Sequence, residues 1–149
     1  MRAWPRWLGL AVAWPVAAAA LDAPQTLGVH TVSVHSASGY NGVNPGLYAL
    51  WPNGVAVGAF HNSYRRNSAY AGWLWSIDRG QRFGVLLGAA TGYGDTREKM
   101  LLAPIIAPSV RWELQRGVYA RLSLFPDPRQ GAVQVLHLSF EWTLDPPRR

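Results

Sequence analysis

Residues 68–77 read Ser-Ala-Tyr-Ala-Gly-Trp-Leu-Trp-Ser-Ile, and their alternation decides the fold. Ala69, Ala71, Trp73, Trp75 and Ile77 fall on one side of an extended chain, and Ser68, Tyr70, Gly72, Leu74 and Ser76 on the other. Successive side chains of a strand point to opposite faces, so the stretch predicts a β-strand with one apolar and one mixed face. The pattern continues outward. Phe83, Val85, Leu87 and Ala89 oppose Gly84, Leu86, Gly88 and Ala90, and Ile106, Val110 and Trp112 oppose Ser109, Arg111 and Glu113. Val118, Ala120, Leu122 and Leu124 oppose Tyr119, Arg121, Ser123 and Phe125. Near the end of the chain, Leu136, Leu138, Phe140 and Trp142 oppose His137, Ser139 and Glu141; upstream, Leu47, Ala49 and Trp51 share one side.

About eight such stretches follow the first twenty residues, joined by connections that are alternately tight and long. The tight ones are Pro52-Asn53-Gly54, Asp78-Arg79-Gly80-Gln81 and Gln115-Arg116-Gly117. The long ones run from Ser36 to Pro45, Asn62 to Asn67, Thr91 to Leu101 and Pro126 to Gln130. Up-and-down antiparallel order puts every tight turn at one end and every long loop at the other, so polar residues in the long loops share one rim.

With 149 residues the chain has room for one domain. Arg2 and Arg6 flank an apolar run, Trp7 to Ala20, closing on four alanines; this reads as a secretory signal over 1–20, cut after Ala20. Residues 21–149 then form the single β domain, with a loose tail from Thr143. The run is short for a membrane span of about 20 apolar residues. There is no cysteine, hence no disulfide staple. The net charge of +6 comes from scattered arginines, two of them in the leader, which argues against nucleic acid and for anionic lipid headgroups. Only 15% of residues are charged against 49% hydrophobic, a poor covering for a small water-soluble domain.

Periodicity does not say which face points inward. A soluble lipocalin-like barrel buries the apolar face, whereas a membrane barrel turns it to lipid. Three features favour lipid. The mixed face is rich in Gly, Ala and Ser, which suits the lining of a narrow barrel. Trp51, Trp75, Trp112 and Trp142 lie near strand ends on the apolar side, as interfacial girdles do. The tight-turn and long-loop ends also differ as they do in outer-membrane barrels. The expected fold is therefore all-β: an eight-stranded antiparallel up-and-down transmembrane barrel, with Arg111, Glu113, Arg121 and Glu141 pairing inside.

On the long-loop rim, His35 ends the first strand and His61-Asn62-Ser63-Tyr64 follows the third. A histidine beside a serine hydroxyl suits acyl transfer, with the imidazole taking the hydroxyl proton and an amide or acid orienting the imidazole. Ordinary polar loop residues would read the same way. His30 and His137 lack a metal-ligand spacing, and plain alternation puts His30 on the face opposite His35, so no metal is expected. Gly88 to Gly94 is read as a loop, not a phosphate cradle, because no helix follows. Arg65 and Arg66 are either solvated or against lipid phosphates.

At these residues the chain resembles the lipid A palmitoyltransferases of the outer membrane, the PagP family. The family's Phe-Lys-Asp-Ser-Trp corresponds to Phe60-His61-Asn62-Ser63-Tyr64, and its Ala-Gly-Tyr-Gly-Trp falls, without a gap, on Ala71-Gly72-Trp73-Leu74-Trp75. His35, ahead of Gly39, Gly42 and Gly46, stands where the family has its catalytic histidine. The family's proline-bracketed Ile-Pro-Leu-Pro-Val-Leu-Leu-Pro resembles residues 101–108, and its later proline-bearing turn resembles Leu124-Phe125-Pro126. The likeness spans roughly residues 30 to 142 and rests on order and spacing more than identity.

The resemblance implies a monomeric eight-stranded barrel, without cofactor, that moves an acyl chain from phospholipid to lipopolysaccharide. His35 and Ser63 would be the reacting pair, supported by Asn62. The acyl chain would lie against Gly72, Leu74, Leu86 and Gly88. Three departures stand out. Asn62 replaces an acidic residue and cannot stabilise an imidazolium by charge. Leu74 replaces a glycine at the floor of the acyl pocket and would shorten the chain admitted. About six residues separate the expected cut from Leu27, too few for the family's leading helix. Pro104, Pro108 and Pro126 cannot donate to a ladder and should weaken pairing between strands six and seven, either as a lateral door for a lipid tail or merely as strand ends.

Overall fold

The computed structural model describes residues 23–93, 102–127 and 133–144; the expected leader over 1–20 and the tail past Leu144 lie outside them. Eight strands follow in order: β1 (Thr26–His35), β2 (Val43–Leu50), β3 (Val55–His61), β4 (Asn67–Ser76), β5 (Phe83–Ala90), β6 (Ala103–Gln115), β7 (Val118–Asp127) and β8 (Val133–Thr143). Each pairs antiparallel with the next, and β8 returns to β1, so the sheet closes into an up-and-down barrel without an edge. The last two boundaries extend past expectation. Asp127 still pairs with Val133, and Leu144 donates its N–H to Gln25 O at 2.8 Å, so the chain is held through Leu144 instead of loosening at Thr143.

The mixed faces turn inward and the apolar faces outward. Val34, Ile77 and Trp75 are 71%, 67% and 64% exposed, while Ser68, Tyr70, Ser123, His137 and Ser139 are buried. A soluble carrier with its apolar face inside is therefore not this arrangement. Trp73, Trp75, Trp112 and Trp142 are exposed, and with Trp51 they form a belt near the tight-turn end.

β1 departs from simple alternation. Its pairing with both β2 and β8 slips between His30 and Val32, a bulge whose extra residue, Thr31, donates its hydroxyl to Leu138 O at 2.6 Å. One inserted residue reverses the parity of everything after it. Thr26, Gly28 and His30 face inward before the bulge, and Ser33 and His35 after it, so His30 and His35 line the same interior. The bulge is why His30 does not lie on the face opposite His35, where plain alternation puts it.

The turn end of the interior is filled by a charged knot. Glu141, fully buried, takes Arg121 Nε at 2.6 Å and the Tyr48 hydroxyl at 2.7 Å. Arg111 Nε stands 2.8 Å from the other carboxylate oxygen, but its N–H is not aimed along a hydrogen bond, so that contact is coulombic. The Arg111 guanidinium lies 3.6 Å over the Tyr119 ring. Glu113 does not join them: it is exposed, next to the register slip between Glu113 and Gln115. Gly28 makes the knot possible, since a Cβ there would stand 2.1 Å from the Tyr48 ring.

Candidate functional site

The rim at the long-loop end is organised by a five-residue loop. Asn62 N–H donates to Arg66 O at 2.8 Å, and Arg65 N–H to Asn62 O at 3.0 Å, with Arg65 at φ 59°. The fully buried Asn62 amide fills the loop from within. Its Oδ1 accepts from Tyr64 N at 2.9 Å and Arg66 N at 3.0 Å, and its Nδ2 donates to Ser68 Oγ at 2.9 Å and Gly92 O at 3.0 Å. A carboxamide has two donors and two acceptor lone pairs, and all four are engaged. The sequence suggests that Asn62 orients the His35 imidazole; with all four positions taken it does not do so directly, and acts only by fixing the turn that carries Ser63.

Ser63 and His35 do meet. The Ser63 hydroxyl lies 2.7 Å from His35 Nε2, within reach for proton transfer from oxygen to nitrogen. Two hydrogen bonds bring them together. Asn41 N–H donates to Ser63 O at 2.9 Å, tying the β1–β2 loop to the β3–β4 loop, and Asn44 Nδ2 holds His61 O at 3.0 Å where the β2–β3 ladder stops. Tyr40 stacks on the imidazole, with centroids 5.0 Å apart and planes 12° from parallel, and Tyr64 meets Tyr40 edge-on. These rings fix the imidazole plane while leaving Nε2 turned to Ser63.

Below the pair lies a cavity of about 210 Å³. Its wall on β3 to β6 is mostly apolar, with Ala56, Phe60, Leu74, Leu86, Ala90 and Ile105 beside the Tyr70 hydroxyl and Ser109. Leu74 and Leu86 thus stand where the sequence puts an acyl pocket. Gly72 and Gly88 do not line it; they face each other across the β4–β5 ladder, and a Cβ on Gly88 would meet Ala71 O at 2.4 Å. Their part is to let two strands approach. The opposite wall, on β1 and β8, carries His30, His137 and Ser139. The sequence assigns His30 and His137 no role; the break in alternation from Leu27 and Val29 to Val32 and Val34 is the signal that brings His30 inside.

The barrel wall opens beside the cavity. Pairing of β6 with β7 begins only at Ser109 and Ser123, so residues 103–108 pair with β5 alone and 124–127 with β8 alone. Arg111 N–H points to Arg82 O on the β5 side, and amide direction alternates along a strand. Positions 104, 106 and 108 therefore present their amide side to β7, and proline at 104 and 108 removes two of those three donors. Pro104 and Pro126 both border the cavity. Among the described residues no group of three or more His, Cys, Asp or Glu is placed to hold a metal ion. The chain matches no protein-family model and no curated protein.

Proposed function

We propose that this barrel sits in an outer membrane and transfers an acyl chain from a phospholipid to a glycolipid acceptor such as lipid A. The observation that carries the reading is the 2.7 Å contact of Ser63 Oγ with His35 Nε2 at the mouth of a partly apolar cavity. His35 takes the hydroxyl proton as Ser63 oxygen attacks the ester carbonyl. The leaving alcohol recovers that proton from the imidazolium, so the chain rests as an ester on Ser63; the acceptor hydroxyl then attacks this ester, its proton passing through His35 Nε2 to the departing Ser63 oxygen. The acyl tail lies down the apolar wall against Phe60, Leu86 and Ile105, and enters between β6 and β7, where the prolines leave the ladder open.

The outward apolar faces and the tryptophan belt support a lipid surround. So does the closed strand order, which returns β8 to β1. The resemblance to the PagP family supplies the donor and acceptor classes. A second reading, a barrel that holds lipid without turnover, is favoured by one observation: the Asn62 amide is consumed within its own loop. Purified protein in detergent with acyl-labelled phospholipid and a glycolipid acceptor separates the two. Label transferred by wild type and not by Ser63→Ala supports the enzyme; equal label in both, with lipid co-purifying, supports the silent barrel.

A further inference from the structure

A hydrogen-bonded chain crosses the interior just below the reacting pair. The Tyr70 hydroxyl lies 3.1 Å from His30 Nε2, and His30 Nδ1 lies 2.9 Å from His137 Nε2. A neutral imidazole offers one donor and one acceptor nitrogen. If Tyr70 donates to His30, then His30 donates to His137, and His137 Nδ1 must carry the proton. If His137 donates to His30, then His30 donates to Tyr70, and the Tyr70 hydroxyl hydrogen is left over. In either direction the chain ends in one N–H or O–H donor that it cannot satisfy itself.

Both ends of that chain line the cavity. His137 is only 6% exposed, and among the described residues its Nδ1 has no hydrogen-bond partner. Tyr70 is equally enclosed at 7%, and among the described residues its hydroxyl bonds to His30 alone. A buried donor that finds no acceptor costs about 1–3 kcal/mol. Purely hydrocarbon ligand would leave it so. Ser33 pairs with His137 and His35 with Val135, which sets His137 two residues deeper than His35 along the β1–β8 ladder. An acyl chain with its carbonyl at Ser63 passes that level within its first several carbons.

We infer that the cavity is built for an acyl chain bearing an oxygen acceptor near its carboxyl end, a hydroxyacyl chain, whose oxygen accepts from the His137–His30–Tyr70 chain. The inference rests on the acyl-binding part of the proposed function, and it names the class of chain. The far, apolar wall then holds the unsubstituted remainder of the tail against Phe60, Leu74 and Leu86.

The test is binding, carried out in the Ser63→Ala background so that turnover plays no part. Detergent-solubilised protein is titrated with dodecanoate and with its 3-hydroxy counterpart, following intrinsic fluorescence. The expected result is about three- to tenfold tighter binding of the hydroxy chain, the range one net hydrogen bond supplies. His137→Phe should abolish the difference, while His137→Gln, which keeps a donor, should retain part of it. Far-ultraviolet circular dichroism checks that each variant stays folded. Equal affinity for the two chains, or a preference that survives His137→Phe, overturns the inference. Transfer activity failing while the preference holds would sink the enzymatic reading alone.

Discussion

His35 and Ser63, 28 residues apart in sequence, hold a 2.7 Å contact because neighbouring loops of one rim are stitched together. The stitching is backbone to backbone, through Asn41 N–H and Ser63 O, so it does not depend on the two side chains themselves.

Ser63→Ala and His35→Gln should each remove at least a hundredfold of acyl transfer while leaving thermal unfolding nearly unchanged, since a positioned base contributes about 10²–10⁴-fold. Activity in wild type should also fall on acidification, because protonated His35 accepts nothing from Ser63. Initial rates against pH, beside melting curves, check both statements.

Asn62→Asp restores the acid of the resembled family, yet it should not raise the rate. Ser68 Oγ donates to Thr91 O at 2.7 Å, so both Ser68 Oγ and Gly92 O require a donor from residue 62. A carboxylate would face two acceptors, costing about 1–3 kcal/mol for each. The variant should melt lower and turn over no faster; a rate gain at unchanged stability would contradict this account of the loop.

Glu141 balances Arg121 and Arg111. Glu141→Gln leaves two guanidiniums without a counter-charge and should cost about 3–5 kcal/mol, measured by urea unfolding in lipid bilayers. Arg121→Met alone should cost less than that, because Arg111 still meets the carboxylate.

Pro104→Ala combined with Pro108→Ala supplies two amide donors on the side of β6 that faces β7. Closing two ladder bonds should stabilise the barrel by about 1–3 kcal/mol, at 0.5–1.5 kcal/mol each, and slow lipid entry. A variant both more stable and several-fold slower, with the Ser63–His35 contact intact, is the expected outcome. Unchanged transfer would rule out entry between β6 and β7.

Leu74→Ala enlarges the apolar wall and should shift preference toward longer acyl chains, read from competition between donors of different length. The half-buried side chain should cost less stability than the roughly 2–5 kcal/mol of a fully buried leucine.

The strands were legible because period-two alternation is a direct imprint of which side meets which surroundings, and Ser68 to Ile77 shows it without interruption. Leu74 and Leu86 could be placed inward from that alone. The β1 bulge was not read, although the apolar positions step from odd to even between Val29 and Val32; counting parity across the whole strand hides a single inserted residue. Asn62 was misread for a different reason. An amide next to a serine looks like an orienting group in one dimension, and only the folded loop reveals four backbone and side-chain partners already holding it. Glu113 failed because alternation fixes a side chain's direction but not whether the wall extends far enough to cover it.

The most direct measurement is the mass spectrum of outer-membrane glycolipid from cells producing the wild-type chain or Ser63→Ala at equal levels. The account predicts a population heavier by one acyl chain with wild type alone. Identical spectra, with both proteins recovered from the outer membrane, would contradict it.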